Sequence, residues 1–127
     1  MNTPPSALTC VLVIDDEIGM HSLLTDILGG RSFEVRCVGS GEEGISAVRT
    51  YKPALILLDL QLPGMNGIEV LRQIRELDRD VPVIMITGYG TIETAVQAIK
   101  LGAYDYIAKP FRVNELLATV DRAIRSS

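Results

Sequence analysis

The chain of 127 residues has two cysteines, one histidine, few aromatics and only scattered positive charge. Each scarcity excludes something. No apolar run approaches the roughly 18 residues that a membrane span requires, so no transmembrane helix is expected. Cys10 and Cys37 have neither the number nor the close spacing of a disulfide framework or zinc site, and both are expected as buried free thiols. The net charge of −4 argues against direct nucleic-acid binding by this domain, because such binding rests on a basic face that neutralises phosphates. Met1 to Ser6 lacks the basic start and apolar centre of a secretory signal, so a cytoplasmic location is expected. His21, the single histidine, falls on a helical stretch and is expected to be solvated there.

What is present is an apolar fraction of 47% with 22% charged residues, the composition of one ordinary globular domain. Residues 8–125 read as that domain, 1–7 as a flexible leader, and 126–127 as a tail or the start of a linker to an output domain. The organising stretch is Ala54 to Gly67, ALILLDLQLPGMNG. Leu55 to Leu58 are apolar on both alternating faces, as in a strand buried between two layers of helices, and Asp59 follows at the strand's end.

The same pattern repeats along the chain. Thr9 to Ile14, Phe33 to Val38, Val83 to Thr87 and Tyr104 to Ala108 read as the other four strands. Between and after them, helical spacing places Met20, Leu23, Leu24, Ile27 and Leu28 on one face, with Gly29 and Gly30 as the stop. Ile45, Val48 and Tyr51 point inward after a Ser40/Glu43 capping signature. Ile68, Leu71, Ile74 and Leu77 form a third apolar face, and Ile92, Ala95, Val96 and Ile99 a fourth. Val113, Leu116, Leu117, Val120 and Ile124 form the last. Five alternations of strand and helix predict an α/β fold, a doubly wound parallel sheet with helices on both faces.

Chemistry gathers outside the carboxyl ends of such strands. Those ends carry Asp15 and Asp16, then Asp59, then Thr87, then Lys109. Three carboxylates within about 5 Å repel by roughly 3 kcal/mol per pair at an effective dielectric near 20, so a neutralising cation is expected. A hard divalent ion such as Mg²⁺ suits them. Lys109 and Thr87 supply an ammonium and a hydroxyl for phosphoryl oxygens, which makes Asp59 the candidate nucleophile toward phosphorus. Taken singly, Asp15 and Asp16 also suit a helix N-cap, Thr87 a strand interior and Lys109 a solvated stem; their shared edge favours chemistry.

The segments VLVIDDE, ILLDLQLPGMNG, VIMITGYG and DYIAKPF, in this order and spacing, resemble response-regulator receiver domains, the phosphoacceptor partners of sensor histidine kinases. The resemblance implies a flavodoxin-like strand order 2-1-3-4-5. It implies Asp59 as the phosphorylated residue, with Mg²⁺ bound by Asp15, Asp16, Asp59 and the backbone carbonyl of Gln61. Thr87 and Tyr106 would form the switch pair, and a wet hydroxyl would be the resting state of Tyr106. The Lys109 to Pro110 bond would be cis. Gln61 and Tyr89 would border the water that attacks the acyl phosphate and tune its lifetime. No enzymatic activity is expected beyond self-catalysed phosphorylation and dephosphorylation.

The stretch from Thr87 to Phe111 looks most like receivers of nitrogen-regulatory AAA+ transcription activators, so a covalently linked AAA+ or other DNA-binding effector is an implied partner. Winged-helix regulators usually carry a basic residue where this chain has Thr119. The fourth helix, fifth strand and fifth helix would form a homodimer face. Three other readings compete. A pseudo-receiver would be a constitutive interaction module. A Mg²⁺-dependent Asp-nucleophile phosphatase of the haloacid-dehalogenase type needs an Asp where Gln61 stands. A flavodoxin-like electron carrier needs a hydroxyl-rich loop where DDE stands.

Overall fold

In the computed structural model, residues 9–88 and 90–126 are described; residues 1–8 (which include the expected leader), Tyr89 and the final serine lie outside them. Five strands alternate with five helices: β1 (Thr9–Ile14), α1 (Ile18–Gly29), β2 (Phe33–Val38), α2 (Gly41–Tyr51), β3 (Leu55–Leu58), α3 (Gly67–Leu77), β4 (Val83–Thr87), α4 (Ile92–Lys100), β5 (Asp105–Ala108) and α5 (Val113–Ser126). The strands form one parallel sheet in the order β2-β1-β3-β4-β5. The central strands β3 and β4 are buried at every residue, which is why their sequences run apolar without alternation.

The sheet divides the core into two layers. One gathers Leu12, Ile14, Ile56, Leu58, Val83 and Met85 beneath α2, α3 and α4. The other gathers Val11, Val13, Leu55, Leu57, Ile84 and Ile107 beneath α1 and α5. Successive strand residues alternate between these layers because strand side chains have a period of two.

Several helix starts are set by short polar side chains. Ser40 Oγ accepts from Glu43 N at 3.2 Å, and Asn66 Oδ1 accepts from Glu69 N at 3.0 Å. Thr91 and Thr94 cap α4 reciprocally. Each satisfies donors that a helix N-terminus leaves open.

Some expected core residues face outward. On α4, Ile92, Val96 and Ile99 are 84%, 47% and 48% exposed, and only Ala98 is fully buried. The helix rests on the sheet through small residues, with Ala95 half-buried beside Ala98. Leu23, Tyr51, Leu77 and Val113 are likewise exposed. The Tyr51 ring instead covers the Arg36 guanidinium at 3.9 Å. In their place Val70 on α3 and Ala123 on α5 complete the core. Helix α1 ends at Gly30 in a right-handed conformation, and the left-handed turn falls on Ser32 instead. Cys10 and Cys37 are free but only half-buried.

Candidate functional site

Three sheet ladders run one residue past the strand ends and fix the site. Asp15 N donates to Val38 O at 3.0 Å, Asp59 N to Ile14 O at 2.9 Å, and Lys109 N to Thr87 O at 3.0 Å. The same hydrogen bonds that hold the sheet therefore aim Asp15, Asp59 and Lys109 at one point. Behind Asp59 the chain doubles back tightly, with Gly67 N donating to Leu60 O at 2.7 Å. A Cβ at Gly67 would lie 2.4 Å from Asp59 O, so only glycine permits this return.

The two aspartates are bound in the same way. Asp15 Oδ1 accepts from Glu17 N at 2.9 Å, and Asp59 Oδ1 accepts from Gln61 N at 3.1 Å. Their other oxygens meet on Lys109, whose Nζ donates to Asp15 Oδ2 at 2.8 Å and Asp59 Oδ2 at 3.2 Å. A third bond runs from Lys109 Nζ to Glu17 Oε1 at 3.0 Å. Asp15, Asp59 and Thr87 are all buried.

Burial alone would lower the Lys109 ammonium, but hydrogen bonds to Asp15 and Glu17, with the charges of Asp15 and Asp59, hold it well above the ordinary lysine value. Burial pushes the Asp15 carboxyl up, and Lys109 and the Glu17 amide oppose that shift.

Carboxylate oxygens of Asp15, Glu17 and Asp59 lie within 4.8 Å of one another. Asp16 is outside this tight group: its exposed side chain lines the adjoining cleft of about 410 Å³ with Glu17, Asp59, Gln61, Leu62 and Pro63. Three carboxylates thus surround one ammonium, with Asp16 on the adjoining cleft wall, and this oxygen-rich donor set fits a hard divalent cation. Glu17 belongs to the acidic run that closes β1, but only Asp15 and Asp16 of that run were expected among the site residues. His21 is half-buried rather than solvated, and its Nε2 hydrogen-bonds the backbone carbonyl of Asp15. The Lys109–Pro110 bond is cis.

Tyr106 departs from its expected resting state. Its hydroxyl is shielded from solvent and has no hydrogen-bond partner among the described residues. The ring packs on the α2/α3/α4 side of the sheet, and its hydroxyl occupies the space that a Cβ at Gly90 would need. Tyr89 lies outside the described residues.

A sheet of this order with a carboxylate and lysine site at its C-terminal edge defines a class of protein, and comparison with known proteins agrees. The family model described as response regulator receiver domain matches residues 11–121. The chain belongs to the response-regulator receiver family. It is 43% identical over 115 residues to the DNA-binding response regulator MtrA of Mycobacterium tuberculosis (strain ATCC 25618 / H37Rv), covering 91% of this chain and 50% of that protein. The regulatory protein AtoC of Escherichia coli (strain K12) is 34% identical over 120 residues, covering 94% of this chain and 26% of that protein. Among solved structures, the receiver domain of NtrX from Brucella abortus superposes with a TM-score of 0.87 at 38% identity, covering 92% of this chain and 99% of that chain. The chain spans about half the length of the MtrA relatives it matches.

Proposed function

We propose that Asp59 accepts a phosphoryl group from a phosphohistidine of a sensor histidine kinase. A carboxylate oxygen of Asp59 forms the new O–P bond as the P–N bond breaks, and the bonding pair leaves on the imidazole nitrogen. The observation that carries this reading is the buried Asp59 on the wall of an open acidic cleft, bonded at one oxygen to the Lys109 ammonium. That ammonium is positioned to neutralise charge developing on the phosphoryl oxygens, and the Gln61 amide orients the nucleophile through its other oxygen.

Asp15, Asp16, Asp59 and the Gln61 carbonyl are the residues that would hold Mg²⁺, which when bound neutralises phosphoryl charge. Thr87 closes β4 beside the site and would follow the phosphoryl group with its hydroxyl, while Tyr106 reports the change on the α4 side. The exposed apolar stripe of α4 supports an output or homodimer face formed by α4, β5 and α5. A linked output domain and control of transcription follow for the whole protein from this reading. Gln61 and Tyr89 tune the lifetime of the acyl phosphate. The domain acts on its own aspartate and turns over no separate substrate.

Intact mass after incubation with acetyl phosphate and Mg²⁺, beside an Asp59→Ala control, tests the proposal. A gain of one phosphoryl group that needs both Asp59 and Mg²⁺ is expected. No gain with acetyl phosphate, or an equal gain in the control, would refute it and favour a constitutive interaction module or another acceptor.

A further inference from the structure

We propose that Glu17 is a positioning residue that occupies the third N–H of Lys109 until a phosphoryl oxygen takes its place; the inference rests on the phosphoacceptor reading above. A lysine ammonium has three donors and no more. Here all three are engaged, by Asp15 at 2.8 Å, Glu17 at 3.0 Å and Asp59 at 3.2 Å. For Lys109 to donate to a new oxygen, one of these bonds must open.

Burial decides which one. The side chains of Asp15 and Asp59 are 4% and 5% exposed, so releasing either leaves a buried carboxylate held by one amide and without the Lys109 charge. Glu17 is 62% exposed and passes directly to water. Its bond is the least costly to open, and its carboxylate presents to Lys109 the same acceptor chemistry as a phosphoryl oxygen.

The local chain is built for this contact. Glu17 is the N-cap residue of α1, yet its side chain makes no capping bond. Asp15 Oδ1 holds the Glu17 amide at 2.9 Å, and that turn sends the side chain toward Lys109 instead. A surface ion pair joining two mobile side chains is worth little. This one differs because the Lys109 side chain is only 13% exposed and is fixed by two buried partners.

Opening the Glu17 contact therefore opposes both the approach of the phosphodonor and the final acyl phosphate. Replacing it removes that opposition. Glutamine keeps the length and loses the charge, whereas aspartate keeps the charge and is one methylene too short to reach.

Two measurements test this on wild type, Glu17→Gln and Glu17→Asp. The first, without phosphodonor, follows hydrogen exchange of the Lys109 ammonium by ¹⁵N NMR, assigned with Lys109→Arg; exchange is expected to quicken several-fold in both variants. The second is the rate of phosphorylation by acetyl phosphate at saturating Mg²⁺. It is expected to rise about two- to five-fold in both, the range set by a partly exposed ion pair. Unchanged exchange overturns the hold on Lys109, whatever the rates. A wild-type rate in Glu17→Asp beside a changed rate in Glu17→Gln overturns it in favour of charge alone. Weaker Mg²⁺ dependence with no change at saturation assigns Glu17 to the metal and overturns it as well. Quickened exchange in the two variants, beside a wild type that takes no phosphoryl group, leaves the hold standing and refutes the phosphoacceptor reading instead.

Discussion

Gly90→Ala is expected to expel the Tyr106 ring without unfolding the domain. A Cβ at position 90 would lie 1.1 Å from the Tyr106 hydroxyl oxygen and 2.4 Å from Cζ, so ring and methyl group cannot coexist. Leaving the pocket gives the hydroxyl back to water, and an unpaired buried hydroxyl costs about 1–3 kcal/mol. The half-buried ring forfeits apolar contact of comparable size, about 1–2 kcal/mol for roughly 50–80 Å² returned to solvent. Alanine also restricts the unfolded chain, which adds about 0.4–1 kcal/mol where the backbone is compatible. Gly90 is outside the left-handed region. The terms nearly cancel, so stability should stay within about 1–2 kcal/mol of wild type while the ring moves. The assay is ¹⁹F NMR of fluorotyrosine-labelled protein, with the Tyr106 signal among the four tyrosines assigned by Tyr106→Phe. A solvent-shifted Tyr106 signal and a nearly unchanged urea midpoint are expected. An unshifted signal would refute the steric argument. A loss of more than about 3 kcal/mol would show that the ring has no second place to go.

Two further outcomes follow from the site and from α4. Lys109 titrates higher in the folded protein than in the unfolded chain, so its contribution to stability is complete below about pH 10.4 and is lost as pH rises through the raised value. Without Mg²⁺, wild type should therefore lose stability more steeply than Lys109→Met as urea unfolding is followed upward from about pH 10.4, with the two curves parallel below it; parallel curves throughout would contradict the assignment. On α4, Ile92→Ser should change stability by no more than about 0.5 kcal/mol, because that side chain is 84% exposed. The same variant should weaken any self-association seen by sedimentation equilibrium or velocity after activation with acetyl phosphate, and unchanged association would remove Ile92 from the dimer face.

The sheet and its chemical edge were legible because both follow from short-range rules. Apolar runs closed by Asp15, Asp59, Thr87 and Lys109 mark strand ends, and a parallel sheet brings those ends together. The seating of α4 was not legible in the same way. Periodicity reveals that Ile92, Val96 and Ile99 share a face, but not what covers it, and the face against the sheet is made of alanines that permit close approach. Glu17 was hidden for another reason. Its contact with Lys109 spans 92 residues of chain and depends on a turn closed by Asp15, neither of which a local pattern contains. The buried Tyr106 hydroxyl likewise depends on an absent side chain at Gly90, 16 positions earlier by residue number.

Strand β5 reaches both layers of the core within four residues. Asp105 turns toward Arg122 of α5 at 3.8 Å, and Ile107 packs on the α1/α5 layer, while Tyr106 between them packs on the α2/α3/α4 layer. Lys109 follows directly. Because the alternation has a period of two, inserting or deleting one residue before Lys109 would exchange the two sets, sending the tyrosine toward α5 and a carboxylate toward the apolar layer under α4. This segment has a fixed length, and descendants of this sequence can vary it by substitution but not by indel.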